Sequence, residues 1–150
     1  MPADAGRRPA PRPDAAPPSR VMDVLTDFES YPSWAEVRST SVLERGAGGL
    51  ASRVGFDIEV PVLGRASYTL VYRYAPGDAG MSWVSIEAHG AVTSVAGEYL
   101  LADLDDGRTE VTYRLAVDLA ALLPAVVRTE GQRRLIANAL DNLKRRVEAA

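Results

Sequence analysis

The chain has no cysteine and a single histidine, His89. The first absence excludes disulfides and thiolate metal sites. The second excludes a multi-histidine metal centre within one chain and leaves any histidine-dependent triad only His89 to use. Lysine is as scarce: Lys144 is the only one among 17 basic residues, and against 20 acidic residues the net charge is −3. That acidic balance argues against nucleic acid as a partner. Hydrophobic residues make up 47% of the sequence, yet no apolar run is long enough to span a bilayer, so stable membrane insertion is not expected. The N-terminus lacks the apolar stretch of a secretory signal, and the expected location is the cytoplasm. "GAGG" at 46–49 is a turn that lacks the Lys-Ser/Thr ending of a phosphate loop, and no cofactor is expected.

Aromatic residues are few, at 7%, with two Phe, two Trp and six Tyr. Half of the Phe and Trp fall within "DFESYPSWAEV", Asp27 to Val37. An aromatic run broken by Pro32 cannot be a long helix, and it reads as a compact joint. Proline is concentrated too: six of the ten lie in the first eighteen residues. Residues 1–16 therefore read as a Pro-rich tail or a degraded first strand, and residues 17–150 as one domain.

Within that domain, Val21, Val24, Leu25 and Phe28 recur at one-face helical spacing. After Trp34 the period changes to two. Six strand-like runs follow, separated by "GAGG", Pro61 to Gly64, "APGDAG", "HGAV" and "DDG". The clearest places Val111, Tyr113, Leu115, Val117 and Leu119 on one face. Short turns between consecutive runs imply an antiparallel meander. From Pro124 onward a stripe of Leu135, Ile136, Ala139, Leu140, Leu143 and Val147 predicts one long helix. About 25 residues span roughly 37 Å, enough to cross a sheet.

The segments "VMDVLTDFESYPSWAEV", "YTLVYRY", "MSWVS", "GEYLLADLDDGRTEVTYRLAVDL" and "ALDNLKRRVE" together resemble the SRPBCC superfamily. These are START-like, helix-grip proteins of the polyketide cyclase/dehydrase and lipid-transport type. The chain is similar to actinobacterial members and to coenzyme-Q-binding START-domain proteins, over about residues 17 to 148. The resemblance implies an α+β fold: a curved antiparallel sheet of six to seven strands around a long C-terminal helix, with two short helices after the first strand position. It also implies that Phe28 ends the first short helix, Pro32 forces the bend and Trp34 plugs the joint. Family members carry a first strand where this chain has "RRPAPRPD", so that strand is expected to be degraded or absent, leaving Thr109 to Leu119 as an open edge.

A sheet wrapped around a helix leaves an apolar cavity wherever inward side chains do not fill it. The candidate lining is Trp34, Val54, Phe56, Ile58, Tyr68, Leu70, Tyr72, Trp83, Tyr99 and Tyr113, facing Leu135, Ile136, Ala139, Leu140 and Leu143. Most of these would also pack an ordinary core. Several tyrosines on inward positions favour a cavity with polar tips, because a buried hydroxyl needs a partner. No catalytic set emerges. Asp57, Glu59, Glu87, Glu98 and Asp118 read as solvated charges, and His89 as an exposed turn residue.

The expected function is binding or transport of a small hydrophobic molecule, a lipid, an isoprenoid or quinone, or a polyketide-like compound, by a monomer or weak homodimer. The alternatives are a polyketide aromatase/cyclase or dehydratase using the same cavity, and a protein-interaction module whose core is filled.

Overall fold

The computed structural model describes residues 12–121 and 124–149. Seven strands form one antiparallel sheet: β1 (Arg12–Asp14), β2 (Ser39–Arg45), β3 (Ala51–Val60), β4 (Gly64–Tyr74), β5 (Gly80–Gly90), β6 (Val92–Asp103) and β7 (Thr109–Leu119). Their order is β1-β7-β6-β5-β4-β3-β2. The six strands read from the alternation pair consecutively, and β1 adds to the far edge beside β7. Among the described residues, two helices, α1 (Pro18–Thr26) and α2 (Ala125–Glu148), and short 3-10 turns, the longest at Phe28–Ser33, complete the fold.

The alternation sorts the faces. Val54, Phe56, Leu70, Tyr72 and Val111 turn toward the helices and are buried, while Arg53, Arg73 and Glu110 on neighbouring positions are exposed. The Pro-rich stretch is not wholly unpaired. Arg12, Pro13 and Asp14 lie opposite Val111, Glu110 and Thr109. Proline is tolerated on an edge strand, where an N–H can point away from the sheet. The preceding part of the expected strand, residues 7–11, lies outside the described residues.

The aromatic joint is built differently from the family-based expectation. Helix α1 ends at Thr26, and the break falls at Asp27 (φ −85°, ψ 70°), before Phe28 rather than at Pro32. Thr26 Oγ1 donates back to Met22 O at 2.7 Å, and the Asp27 N–H turns to Val24 O, which tightens the last turn. Pro32 sits inside the 3-10 turn as its second-to-last residue, where the fixed proline φ of about −65° falls in the 3-10 range. Tyr31, not Trp34, closes the joint: it is buried, and its hydroxyl donates to Leu25 O at 2.6 Å. Thr40 Oγ1 donates to Phe28 O at 2.6 Å and ties the joint to β2.

The molecule has two unlike ends. At the joint end gather α1, β1 and the β4–β5 and β6–β7 turns. The C-terminal half of α2 closes this end with Ile136, Leu140, Leu143 and Val147, all buried. At the hairpin end lie the β3–β4 hairpin, the β5–β6 turn and the exit from β7. Here the N-terminal half of α2 is exposed, with Val126 and Val127 open to solvent. Hydrogen bonds along α2 fix this orientation: Gln132 Nε2 donates to Leu115 O, Lys144 Nζ donates to Pro13 O, and Glu148 Oε2 accepts the Ala15 N–H, each at 2.7 Å.

Candidate ligand-binding site

Cross-strand pairing carries a belt of rings over the helix-covered face of the sheet. Phe56 on β3 is opposite Tyr68 on β4, and the two stack with centroids 5.6 Å apart. Tyr72 is opposite Trp83 on β5, at 5.8 Å. Tyr99 on β6 is opposite Tyr113 on β7, stacked at 4.4 Å with planes 9° apart. Trp83 bridges the last two strands, 5.5 Å from Tyr99 and 5.9 Å from Tyr113. Its indole lies over Gly97, where a Cβ would come within 2.8 Å of the ring. A glycine is required there for the bridge to form. At the joint end, Phe28 packs on Tyr72 at 4.7 Å and Tyr31 approaches Phe56 at 6.1 Å.

Two of the six tyrosine hydroxyls bond to the protein: Tyr31 to Leu25 O, and Tyr74 to Ala51 O at 2.7 Å. Among the described residues, those of Tyr68, Tyr72, Tyr99 and Tyr113 have no hydrogen-bond partner. Burial raises the hydroxyl pKa of Tyr72, Tyr99 and Tyr113 well above the usual phenol value, and neighbouring tyrosines raise it further. Burial pushes that of Tyr68 up to about 12. These hydroxyls stay protonated at neutral pH, so they act as hydrogen-bond donors and not as bases.

The predicted lining divides into three groups. Val54, Phe56, Leu70, Tyr72, Trp83, Tyr99, Ile136, Leu140 and Leu143 are buried. Ile58, Tyr68, Tyr113 and Ala139 are half-buried. So are Val60, Leu115, Val117 and Leu119, which share the inward face toward the hairpin end. The sheet face is thus covered at the joint end and only partly covered at the hairpin end.

Leu135 departs from the expectation of a buried seam: it is 38% exposed. One residue turns a helix by about 100°, so with Ile136, Leu140, Leu143 and Val147 directed inward Leu135 falls on the flank. Trp34 also departs. It is half-buried against Tyr31 at 4.9 Å. It borders an outer cleft of about 270 Å³ with Arg20, Asp23, Val24, Asp27, Arg146 and Ala149.

The charged residues lie elsewhere. Asp57 pairs with Arg65 at 2.5 Å, Glu98 with Arg114 at 2.8 Å, and Asp118 accepts from Ser94 at 2.6 Å. Glu59 and Glu87 are exposed. His89 is also exposed, but it belongs to β5 and pairs with Ser67 rather than sitting in a turn. The β4–β5 register slips between Ser67 and Thr69, and Glu87 takes a positive φ of 53° there, which lets the strand run on past it. One buried acid escapes the sequence reading altogether: Asp14, on β1. A polar residue in a Pro-rich run carries no sequence signal of burial; its pairing opposite Thr109 does that.

A family model for polyketide cyclase/dehydrase and lipid transport proteins matches residues 13–148. The chain belongs to that family. No curated protein sequence matches it significantly. Among solved structures, a START superfamily protein from Mycobacterium smegmatis superposes with a TM-score of 0.83 at 18% identity, covering 93% of this chain and 94% of the other. The Zhui aromatase/cyclase from a Streptomyces species gives 0.69 at 22% identity, covering 93% of each chain. A STAR-related lipid transfer protein from Xanthomonas axonopodis gives 0.71 at 15% identity, covering 91% of this chain and 82% of the other. Such identities establish the helix-grip fold shared with these structures, and the chemistry rests on the residues of this chain.

Proposed function

We propose that this family member binds one small hydrophobic molecule, a lipid, an isoprenoid or quinone, or a polyketide-like compound, between the aromatic belt and α2. One observation carries the reading. The inward residues toward the hairpin end are apolar yet only half-buried, and they lead to tyrosine hydroxyls without partners among the described residues. Apolar area removed from water contributes about 25 cal/mol per Å². Protonated hydroxyls of Tyr68, Tyr99 and Tyr113 would orient an acceptor oxygen on the ligand. Native mass spectrometry of the purified protein tests this. A bound species of a few hundred daltons, released on denaturation, is expected; a bare polypeptide mass that takes up none of the three compound classes would refute it.

The donor character of these hydroxyls also suits a second reading, an aromatase/cyclase or dehydratase. In it the same groups would polarise a carbonyl while the belt holds a reactive chain folded. Carrier and enzyme are separated by incubating the protein with a linear poly-β-ketone thioester mimic. Binding without conversion supports the carrier.

A further inference from the structure

Asp14 is the one ionisable carboxyl among the buried polar residues described. It is 1% exposed, and its Oδ2 is shielded and without a hydrogen-bond partner. The backbone around it is held from two sides. From α2, Lys144 Nζ donates to Pro13 O at 2.7 Å and to Glu148 Oε2 at 2.6 Å, and the same Oε2 accepts the Ala15 N–H at 2.7 Å. From β7, Thr109 Oγ1 donates to Ala16 O at 2.7 Å. Pro13 to Ala16 are therefore fastened by their main chain, while the carboxyl between them faces inward.

A carboxyl in such a place is tolerated when neutral and costly when ionised. We infer that β1 is a proton-controlled latch: with Asp14 protonated it stays fastened between β7 and α2, and with Asp14 ionised this end of the grip opens. The titratable groups facing Asp14 are Lys144 and Glu148 from α2 and the Tyr99 hydroxyl from β6. From β7, the adjacent Thr109 and Val111 carry no charge, and Glu110 is turned outward and exposed. Burial pushes the Asp14 carboxyl up to about 6; Lys144 opposes that rise and Glu148 adds to it. Glu148 is held below the usual carboxylate range by hydrogen bonds from Lys144 and from the Ala15 N–H, so it is already ionised while Asp14 titrates.

The direction follows from linkage. A carboxyl whose folded pKa lies above its unfolded value of 3.8 holds the latch most firmly below that value. The hold weakens as pH rises and is lost on passing about 6. Between pH 5 and pH 7 the opening equilibrium should increase about tenfold. The C-terminal turns of α2 are tied to β1 through Lys144 and Glu148, so they should loosen with it.

Hydrogen exchange at the Ala15 and Ala16 amides tests the latch, each rate divided by its intrinsic rate at the same pH. In the wild-type protein the opening constant should rise about tenfold from pH 5 to pH 7. In Asp14→Asn, which keeps the shape and removes the titration, it should be flat. A flat wild-type profile, or an unchanged slope in Asp14→Asn, overturns the proposal. A carbon-detected NMR titration of the wild-type protein follows the same carboxyl without any variant. An Asp14 midpoint near 6 supports the latch, and a midpoint below about 4.5 rejects it.

Discussion

Tyr31 and Tyr99 carry the same hydroxyl in different settings. The first donates to Leu25 O, and the second has no partner among the described residues. Tyr31→Phe would leave a buried carbonyl short of its donor, at a cost of about 1 kcal/mol. Tyr99→Phe should change stability by less than about 0.5 kcal/mol while weakening ligand binding several-fold. Urea midpoints for the two variants make the comparison, and equal losses would mean that the Tyr99 hydroxyl is satisfied within the protein. Gly97 makes the complementary case. A Cβ there would meet Arg114 O at 2.5 Å and the Trp83 ring at 2.8 Å. Gly97→Val should cost about 1–3 kcal/mol and alter the near-ultraviolet dichroism of Trp83. An unperturbed spectrum would show that the ring does not rest on Gly97.

At the scale of elements, α2 is two helices in one. Its C-terminal half packs the seam and its N-terminal half roofs an incompletely covered face. Leu140→Asp would bury a charge in the seam and lower stability by several kcal/mol. Leu135→Asp, on the flank, should cost less than about 0.5 kcal/mol. Thermal melts that rank the two equally would contradict this division. Strand β7 is also divided. β1 covers only Thr109 to Val111 among the described residues, and the Leu115 carbonyl is taken by Gln132 instead of a strand. Residues two apart on a strand point the same way. The amides of Tyr113 and Val117 should therefore exchange about tenfold faster than those of Thr112 and Ala116, which face β6. Equal protection in a monomer would mean that the outer edge is covered. The alternation from Ala51 to Leu119 made the strands and their faces legible in the sequence, because a half-covered sheet imposes period two. The apolar stripe made α2 legible, but its partial cover of the sheet was not, since helix placement depends on tertiary contacts such as Gln132 and Lys144. Asp14 was illegible for a related reason: only pairing with β7 and contact with α2 turn a polar residue in a Pro-rich run into a buried acid.

Across the whole molecule, one asymmetry underlies the proposed binding. The joint end is sealed by Phe28, Tyr31, Leu140 and Val147, whereas the hairpin end leaves Ile58, Val60, Leu115 and Val117 half-covered. Inward tyrosines in the sequence signal the stacked belt between them, but its continuity depends on register, which places Phe56 by Tyr68 and Tyr99 by Tyr113. Trp83 lies at the centre of that belt, and Trp34 is the only other tryptophan. Tryptophan fluorescence of Trp34→Phe therefore reports on the proposed site alone. Titration with palmitate, with menadione and with a hydroxylated anthraquinone samples the lipid, quinone and polyketide-like classes. A saturable one-to-one change in Trp83 emission with at least one of them, weakened several-fold when Tyr99→Phe is added, is the predicted result. Emission that responds to none of the three, in protein shown by mass to carry no bound compound, would contradict the claim that the grip holds a hydrophobic ligand.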